Sequence, residues 1–415
     1  MSYKKIFIQI AAYRDPELLA TINDCIEKAM YPHRLVFGIC WQHDETESLG
    51  KYVKDKRFKI IDINYKQSKG CCWARAQVQK LYAGEEYTMQ IDSHHRFIKN
   101  WDFQAEKMIQ DLEKQGFRKP LLTTYPPAYE PNTQLNLQAE PQYVKFEDIN
   151  EDGHITCIPS VIPNFKSYTS PIPGRFIAAG FIFTHGIFCK EVSYDPELYF
   201  NGEETNLSVR AFTSGYDIFH PHRTLLFHHY TRPSEPKHWK DLDWEKLQEK
   251  SSRRIFSLLH ENNVESLGNY GLGSLRSLND YEKFAGISFK KKQIVPSCLT
   301  EVIPSFNIIY DDNEWSKYLI SSFNHTIKLK QELFRHTYDL VVVAYRDRNG
   351  KDIYRRDIYG DDLTHLFSNS FLGHYSINSK FFPTRPVYSW AVMPRISGDE
   401  WGRNFVGSLA KDPIL

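Results

Sequence analysis

The feature that most constrains this chain is the alternation of short apolar runs with amphipathic segments over residues 4–91. Residues 4–12 (KKIFIQIAA), 35–41, 58–63 and 87–91 read as strands, and the first is the continuous apolar run expected of a strand buried on both faces. Asp15-Pro16-Glu17 opens a helix bearing Leu18, Leu19, Ile22 and Ile26, with Asp15 as N-cap and Pro16 in the first turn. Residues 71–83 read as a second helix. This strand–helix alternation predicts an α/β domain with a mostly parallel sheet. In such sheets ligands bind beyond the carboxyl ends of the strands. The polar residues following the strands therefore weigh most: Tyr13-Arg14-Asp15, His43-Asp44 and Asp92-Ser93-His94-His95.

Farther along, residues 125–175 are rich in Pro, Asn, Tyr and Glu and read as a long lid-like loop. Strand character returns at 176–189, helical character at 203–214, and a strand at 225–230; residues 232–285 are polar and helical. Beyond Lys290-Lys291-Lys292, apolar alternation at 303–310, 324–329 and 338–345, with an Asn349-Gly350 hairpin turn, predicts a small β-rich domain over 289–415.

Charge and composition narrow the function classes. Lys and Arg number 52 against 51 Asp and Glu, so there is no footprint for nucleic acid and no basic block for a membrane surface. No apolar run approaches the ~20 residues of a membrane helix. The N-terminus carries no secretory pattern, and seven scattered cysteines do not make a disulfide framework. A cytoplasmic protein is expected.

The strongest local feature is the strand Tyr87–Ile91 running into Asp92-Ser93-His94. Residues two apart on an extended segment point to one side, so Asp92 and His94 can converge on a divalent cation. A carboxylate with an imidazole suits Mn²⁺, or Mg²⁺ with added water. The plainer reading is a helix cap by Asp92 or Ser93. A second apolar run ends in His228-His229, either of which can complete such a site; alone, these would be solvated histidines at a strand edge. Arg75 opens the helix ahead of this turn, placed for a diphosphate or an acidic partner, although most helix arginines form surface ion pairs. Glu203 and Glu204 follow Asn201-Gly202 at a helix start, where carboxylates also simply favour the helix dipole. No GxGxxG follows the first strand, and neither a P-loop nor a Gly-x-Ser-x-Gly elbow occurs.

The segments Gly70-Cys71-Cys72-Trp73-Ala74-Arg75, Leu81–Tyr87, Gln90-Ile91-Asp92-Ser93-His94, Arg96-Phe97 and Trp101-Asp102 resemble the cytoplasmic polypeptide α-N-acetylglucosaminyltransferases acting on hydroxyproline, and their bacterial relatives. Ile8–Asp15, Asn201–Glu204 and His228-x-Tyr230-x-Arg232 fit as well, so the resemblance spans about residues 4–240. The Asp-Ser-His element is also similar to that of mucin-type N-acetylgalactosaminyltransferases. The resemblance implies a GT-A (Rossmann-like) catalytic domain over 1–288; no motif of it extends beyond 285, and the β-rich pattern of 289–415 suggests an accessory domain for acceptor binding or self-association. It implies UDP-GlcNAc as donor, a divalent metal, and retention of anomeric configuration. Asp92, His94 and His228 would be metal ligands. Ala11, Tyr13 and Arg14 would lie against uracil and ribose, with Asp92 and Ser93 also at the donor. Arg75 would sit at the diphosphate or sugar, and Glu203 and Glu204 would face sugar and acceptor as catalytic residues. His95 stands where the family pattern has no fixed histidine. Alternatives are a different donor, such as UDP-GalNAc or UDP-glucose, or a non-catalytic UDP-sugar-binding module. The acceptor, a protein or glycan hydroxyl, and the oligomeric state stay open.

Overall fold

Eight strands build the sheet that carries the site. The computed structural model describes residues 4–261, 264–304, 314–398 and 400–409. The elements up to the site are β1 (Ile6–Tyr13), α1 (Leu18–Lys28), β2 (Leu35–His43), β3 (Phe58–Asn64), α2 (Cys71–Gln79), β4 (Tyr87–Ile91), β5 (His95–Phe97), α3 (Trp101–Lys114) and β6 (Pro120–Thr123). They continue with β7 (Gln142–Ile149), β8 (Ile155–Val161), β9 (Ile172–Pro173), β10 (Phe181–His185), α4 (Phe188–Glu191), α5 (Glu203–Thr213), β11 (Asp217–His220), β12 (Leu226–His228), α6 (His238–Asp241) and α7 (Trp244–Leu259). The sheet order is β3-β2-β1-β4-β10-β6-β11-β9. β1 runs parallel to both β2 and β4, and β10 is inserted antiparallel beside β4. The α/β class with a Rossmann-like half is thus present, as expected.

Period-two patterning explains the layers. Ile6, Ile8 and Ile10 pack with Leu18 and Ile22 of α1 and with Ile109 of α3, whereas Phe7 and Cys40 pack with Ala74 and Val78 of α2. Alternate β1 side chains thus fill opposite faces, and the continuous apolar run is buried on both. Gly70 enters α2 at φ 105°, and a Cβ there would meet the Tyr199 ring at 2.4 Å, so glycine is required by both backbone and space.

Three local expectations are corrected. First, α1 begins at Leu18 with Glu17 as its N-cap position; Asp15 Oδ1 accepts the Glu17 N–H, leaving Oδ2 for other partners. Second, residues 125–175 contain the β7–β8 hairpin, closed by buried Val144, Phe146, Ile149 and Ile155, where their polar composition suggested only a loop. Third, the strand at 225–230 is confined to β12, which leaves the main sheet and pairs antiparallel with β5, setting His228 opposite His95.

The chain divides into two compact units, Met1–Lys290 with Ser297–Ile309, and Lys291–Pro296 with Tyr310–Leu415. The second is β-rich. Phe323–Lys330 pairs with His374–Phe381, and Tyr338–Arg346 lies between Asp352–Tyr359 and Ser389–Ile396. Ile327, Val341, Val343, Ile377 and Val392 fill its core. The Asn349-Gly350 turn closes a hairpin as its sequence predicts, with Gly350 at φ 79°. The run 303–310 lies mostly outside the described residues. Among the described residues, no helix is long and apolar enough to cross a membrane.

Candidate active site

β4 ends at Ile91 and delivers Asp92 to the carboxyl edge of the sheet. Its Oδ1 accepts from Arg75 Nη2 at 2.6 Å, and its Oδ2 lies 3.1 Å from His228 Nε2. Burial opposes ionisation, but Arg75 and His228 prevail and hold this carboxyl well below the usual range. Gly180 makes room for Asp92: a Cβ built there would lie 3.0 Å from Oδ2.

Beside it sits a group organised by Asp15. Asp15 Oδ2 accepts from Ser93 Oγ at 2.6 Å, from His94 Nδ1 at 2.7 Å and from Arg232 Nη1 at 2.9 Å. Its burial is opposed by these three donors, His94 foremost, and the carboxyl stays well below its ordinary value. With Nδ1 against Asp15, Nε2 is the His94 ring nitrogen that can turn to a metal, the arrangement found where a carboxylate orients a metal-binding histidine. Arg14, expected against the nucleotide, holds a left-handed φ of 45° and pairs with Asp44 and Asp241, each at 3.3 Å.

Two cavities open on this cluster and share Cys71, Asp92, Phe200 and His228. The smaller, about 230 Å³, is lined by Ala11, Tyr13, Asp15, Ser93, His94, Arg232 and the segment Pro236–Trp239, among others. The larger, about 390 Å³, is lined by Arg75, Tyr125, Gly180, Glu203, Glu204 and Tyr230, with Glu147, His154 and Cys157 from the β7–β8 hairpin. Ala11, Tyr13, Ser93 and His94 thus meet on one side, and Arg75, Glu203 and Glu204 on the other. Arg14 lines neither cavity.

The residues fit a divalent cation. Carboxylate and imidazole atoms of Asp92, His95 and His228 lie within 4.8 Å of one another. The tightest third group is therefore His95 rather than His94. Yet His95 is fully buried and lines neither cavity; its Nδ1 lies 2.9 Å from the Phe227 carbonyl, and its buried Nε2 has no hydrogen-bond partner. Burial and the neighbouring His228 push its basicity down, so it stays neutral. The His94 and His228 rings are 4.6 Å apart, and both line the smaller cavity with Asp92. His229 has its Nε2 3.3 Å from Glu130 and lines neither cavity.

Arg75 is the pivot of the larger cavity. Besides Asp92 it pairs with Glu203, Nε to Oε1 at 3.0 Å, while its buried Nη1 has no partner. That orphaned guanidinium donor suits an anionic oxygen. Glu203 also accepts from Tyr194 Oη at 2.7 Å, and burial still raises its carboxyl. Glu204 accepts from Ala179 N at 2.9 Å and from Tyr125 Oη; burial outweighs both donors and pushes its carboxyl up to about 7.

The sequence offers Asp15 only as a cap and Arg232 only within the His228-x-Tyr230-x-Arg232 match, and it gives no sign of Tyr125 or Tyr194. The position of Asp15 beyond β1 was the available signal. The two tyrosines carry none, because their roles arise from partners 79 and 9 residues away.

The sequence model of the family described as Glycosyltransferase (GlcNAc) matches residues 5–56 and 50–291, more than half of the chain. A comparison with curated proteins finds no match. Among solved structures, GalNAc-T7 with UDP, GalNAc and Mn²⁺ is 14% identical, covering 67% of this chain and 54% of that one at a TM-score of 0.45. The chain thus spans about half the length of GalNAc-T7. S. aureus TarS 1–349 in complex with UDP-GlcNAc is 13% identical, covering 69% and 72% at 0.42. S. aureus TarS is 11% identical, covering 96% and 77% at 0.36.

Proposed function

This chain belongs to the Glycosyltransferase (GlcNAc) family, and on that premise we propose that it is a metal-dependent, retaining transferase of N-acetylglucosamine from UDP-GlcNAc to a hydroxyl acceptor. The observation that carries the reading is the pair of cavities meeting at Asp92 and His228, with Arg75, whose Nη1 has no partner, in the wall of the larger one. One lobe suits the nucleotide, the other the sugar and the incoming hydroxyl. Residues 1–288 would form the catalytic domain and 289–415 the accessory one. Seven free cysteines fit the reducing cytoplasm.

Asp92, His94 and His228 would hold the cation, with Asp15 orienting His94 and His95 backing His228. When bound, a divalent cation neutralises charge on the departing diphosphate. Arg75 presents its free donor to the same charge, and its pairing with Asp92 and Glu203 keeps the guanidinium in place before substrate arrives. Ala11 and Tyr13 would receive the uridine, with Ser93 beside it. Glu203 is pinned by Arg75 and Tyr194, and Glu204 by Tyr125 and Ala179, which favours polar positioning of sugar and acceptor over attack on the anomeric carbon. A same-face displacement fits that arrangement better than a carboxylate nucleophile.

The test is UDP release from UDP-GlcNAc, UDP-GalNAc and UDP-glucose, with and without Mn²⁺, in wild type, Asp92→Ala, His94→Ala and His95→Ala. Metal-dependent turnover of UDP-GlcNAc, abolished in Asp92→Ala and His94→Ala but retained in His95→Ala, is the expected result. Loss in His95→Ala alone would move the third ligand to that residue. Turnover of a different nucleotide sugar would replace the donor, and none at all would overturn the activity.

A further inference from the structure

The second compact unit carries an exposed apolar tip whose backbone is unsuited to its sequence. Ser370-Phe371 and His374-Tyr375 pair antiparallel, closing a two-residue turn at Leu372-Gly373. Both turn residues have positive φ, 49° and 73°. Turns of this kind favour Asn-Gly, because in the left-handed region a Cβ crowds the following carbonyl oxygen, which the short polar side chain of Asn offsets by local hydrogen bonding and an apolar side chain does not. Leucine occupies the first position nonetheless, 83% exposed, next to Phe371 at 76%. Strain and solvent-facing apolar surface coincide at one point, where folding alone would select a polar residue.

The surroundings indicate what receives this tip. The neighbouring strand brings Lys330 into register with His374 and Lys328 with Ser376, and the Gln331 N–H bonds the Gly373 carbonyl at 2.9 Å. Within segments 323–335 and 370–381, Glu332 is the one carboxylate, 3.6 Å from Lys330. Cations therefore flank the apolar point. Its area argues against a second protein: a Phe and a Leu offer on the order of 300 Å², well under the ~800 Å² per partner of a stable interface. A lipid surface needs no such area, since a few apolar side chains enter the acyl boundary while flanking lysines meet anionic headgroups.

We propose that the hairpin tip Phe371-Leu372 docks this protein reversibly on a lipid surface containing anionic lipid, with Lys328 and Lys330 against the headgroups. The test is co-sedimentation of the full chain with vesicles of phosphatidylcholine alone and of phosphatidylcholine mixed with phosphatidylglycerol. Wild type is expected to bind the mixed vesicles, more weakly at high salt. Leu372→Asn and Phe371→Ser should each weaken binding about tenfold, and Lys330→Ala about fivefold. Leu372→Asn is the decisive variant, because asparagine tolerates the left-handed turn, so its thermal midpoint should hold or rise while binding falls. UDP-sugar turnover in solution should be unchanged. Absence of wild-type binding to the mixed vesicles, or equal binding by Leu372→Asn, overturns the proposal. Self-association in solution that Leu372→Asn abolishes would also overturn it, assigning the tip to a second copy.

Discussion

Replacing Glu204 by Gln separates what its burial does to the fold from what its position does for the cavity. Its carboxyl moves from an ordinary 4.5 to about 7, chiefly by burial, with Glu203 and Asp92 adding repulsion. A raised carboxyl holds its proton more tightly in the folded chain than in the unfolded one. Folded molecules therefore carry the extra proton between about pH 4.5 and 7, and stability falls as pH rises through that window. The interval corresponds to about 3 kcal/mol at pH values above it. That rise is already net of the bonds from Tyr125 and Ala179, so Gln, which can keep the Ala179 N–H bond, forfeits only a neutral bond from Tyr125, worth roughly 0.5–1.5 kcal/mol. At about pH 8 the variant should thus exceed wild type by roughly 2 kcal/mol. At about pH 5, where wild type is mostly protonated, it should gain nothing. Urea unfolding of both proteins at the two pH values reads the difference directly. A difference between them that does not change with pH would refute the reasoning, because only a titrating Glu204 makes it pH-dependent. UDP-sugar turnover should fall in the variant at both pH values.

Two further substitutions probe the supports of the site. Asp15→Asn weakens the acceptor shared by Ser93, His94 and Arg232; Mn²⁺ affinity, read by thermal shift, should drop about 10–100-fold with Asp92 itself intact. Gly180→Ala places a methyl group 3.0 Å from Asp92 Oδ2; turnover should fall about tenfold with a stability change under about 1 kcal/mol, and unchanged turnover would show that Asp92 has slack.

Much of this architecture is legible in the primary structure because it is local. The run Ile6–Ile10 announces a doubly buried strand, and the polar residues after each strand point to the sheet edge where the cavities open. Asp92 and His228 were legible for that reason. What was not legible depends on long-range register. The pairing of β12 with β5 brings His95 opposite His228 across more than a hundred residues, whereas the local period-two pattern points to His94 alone. The β7–β8 hairpin was hidden by polar composition, although its alternating Val144 and Phe146 carry the strand period. Asp15 was misread because a carboxylate two residues before a helix is ordinarily local, and here its second oxygen reaches Arg232, 217 residues on.

The shared wall of the two cavities has a kinetic consequence. If nucleotide and sugar occupy adjoining lobes, the sugar and the acceptor hydroxyl share the larger one, about 390 Å³ in volume. An acceptor arriving first would close that lobe to the donor. On that reading the order would be donor before acceptor, and excess acceptor would compete with the nucleotide sugar.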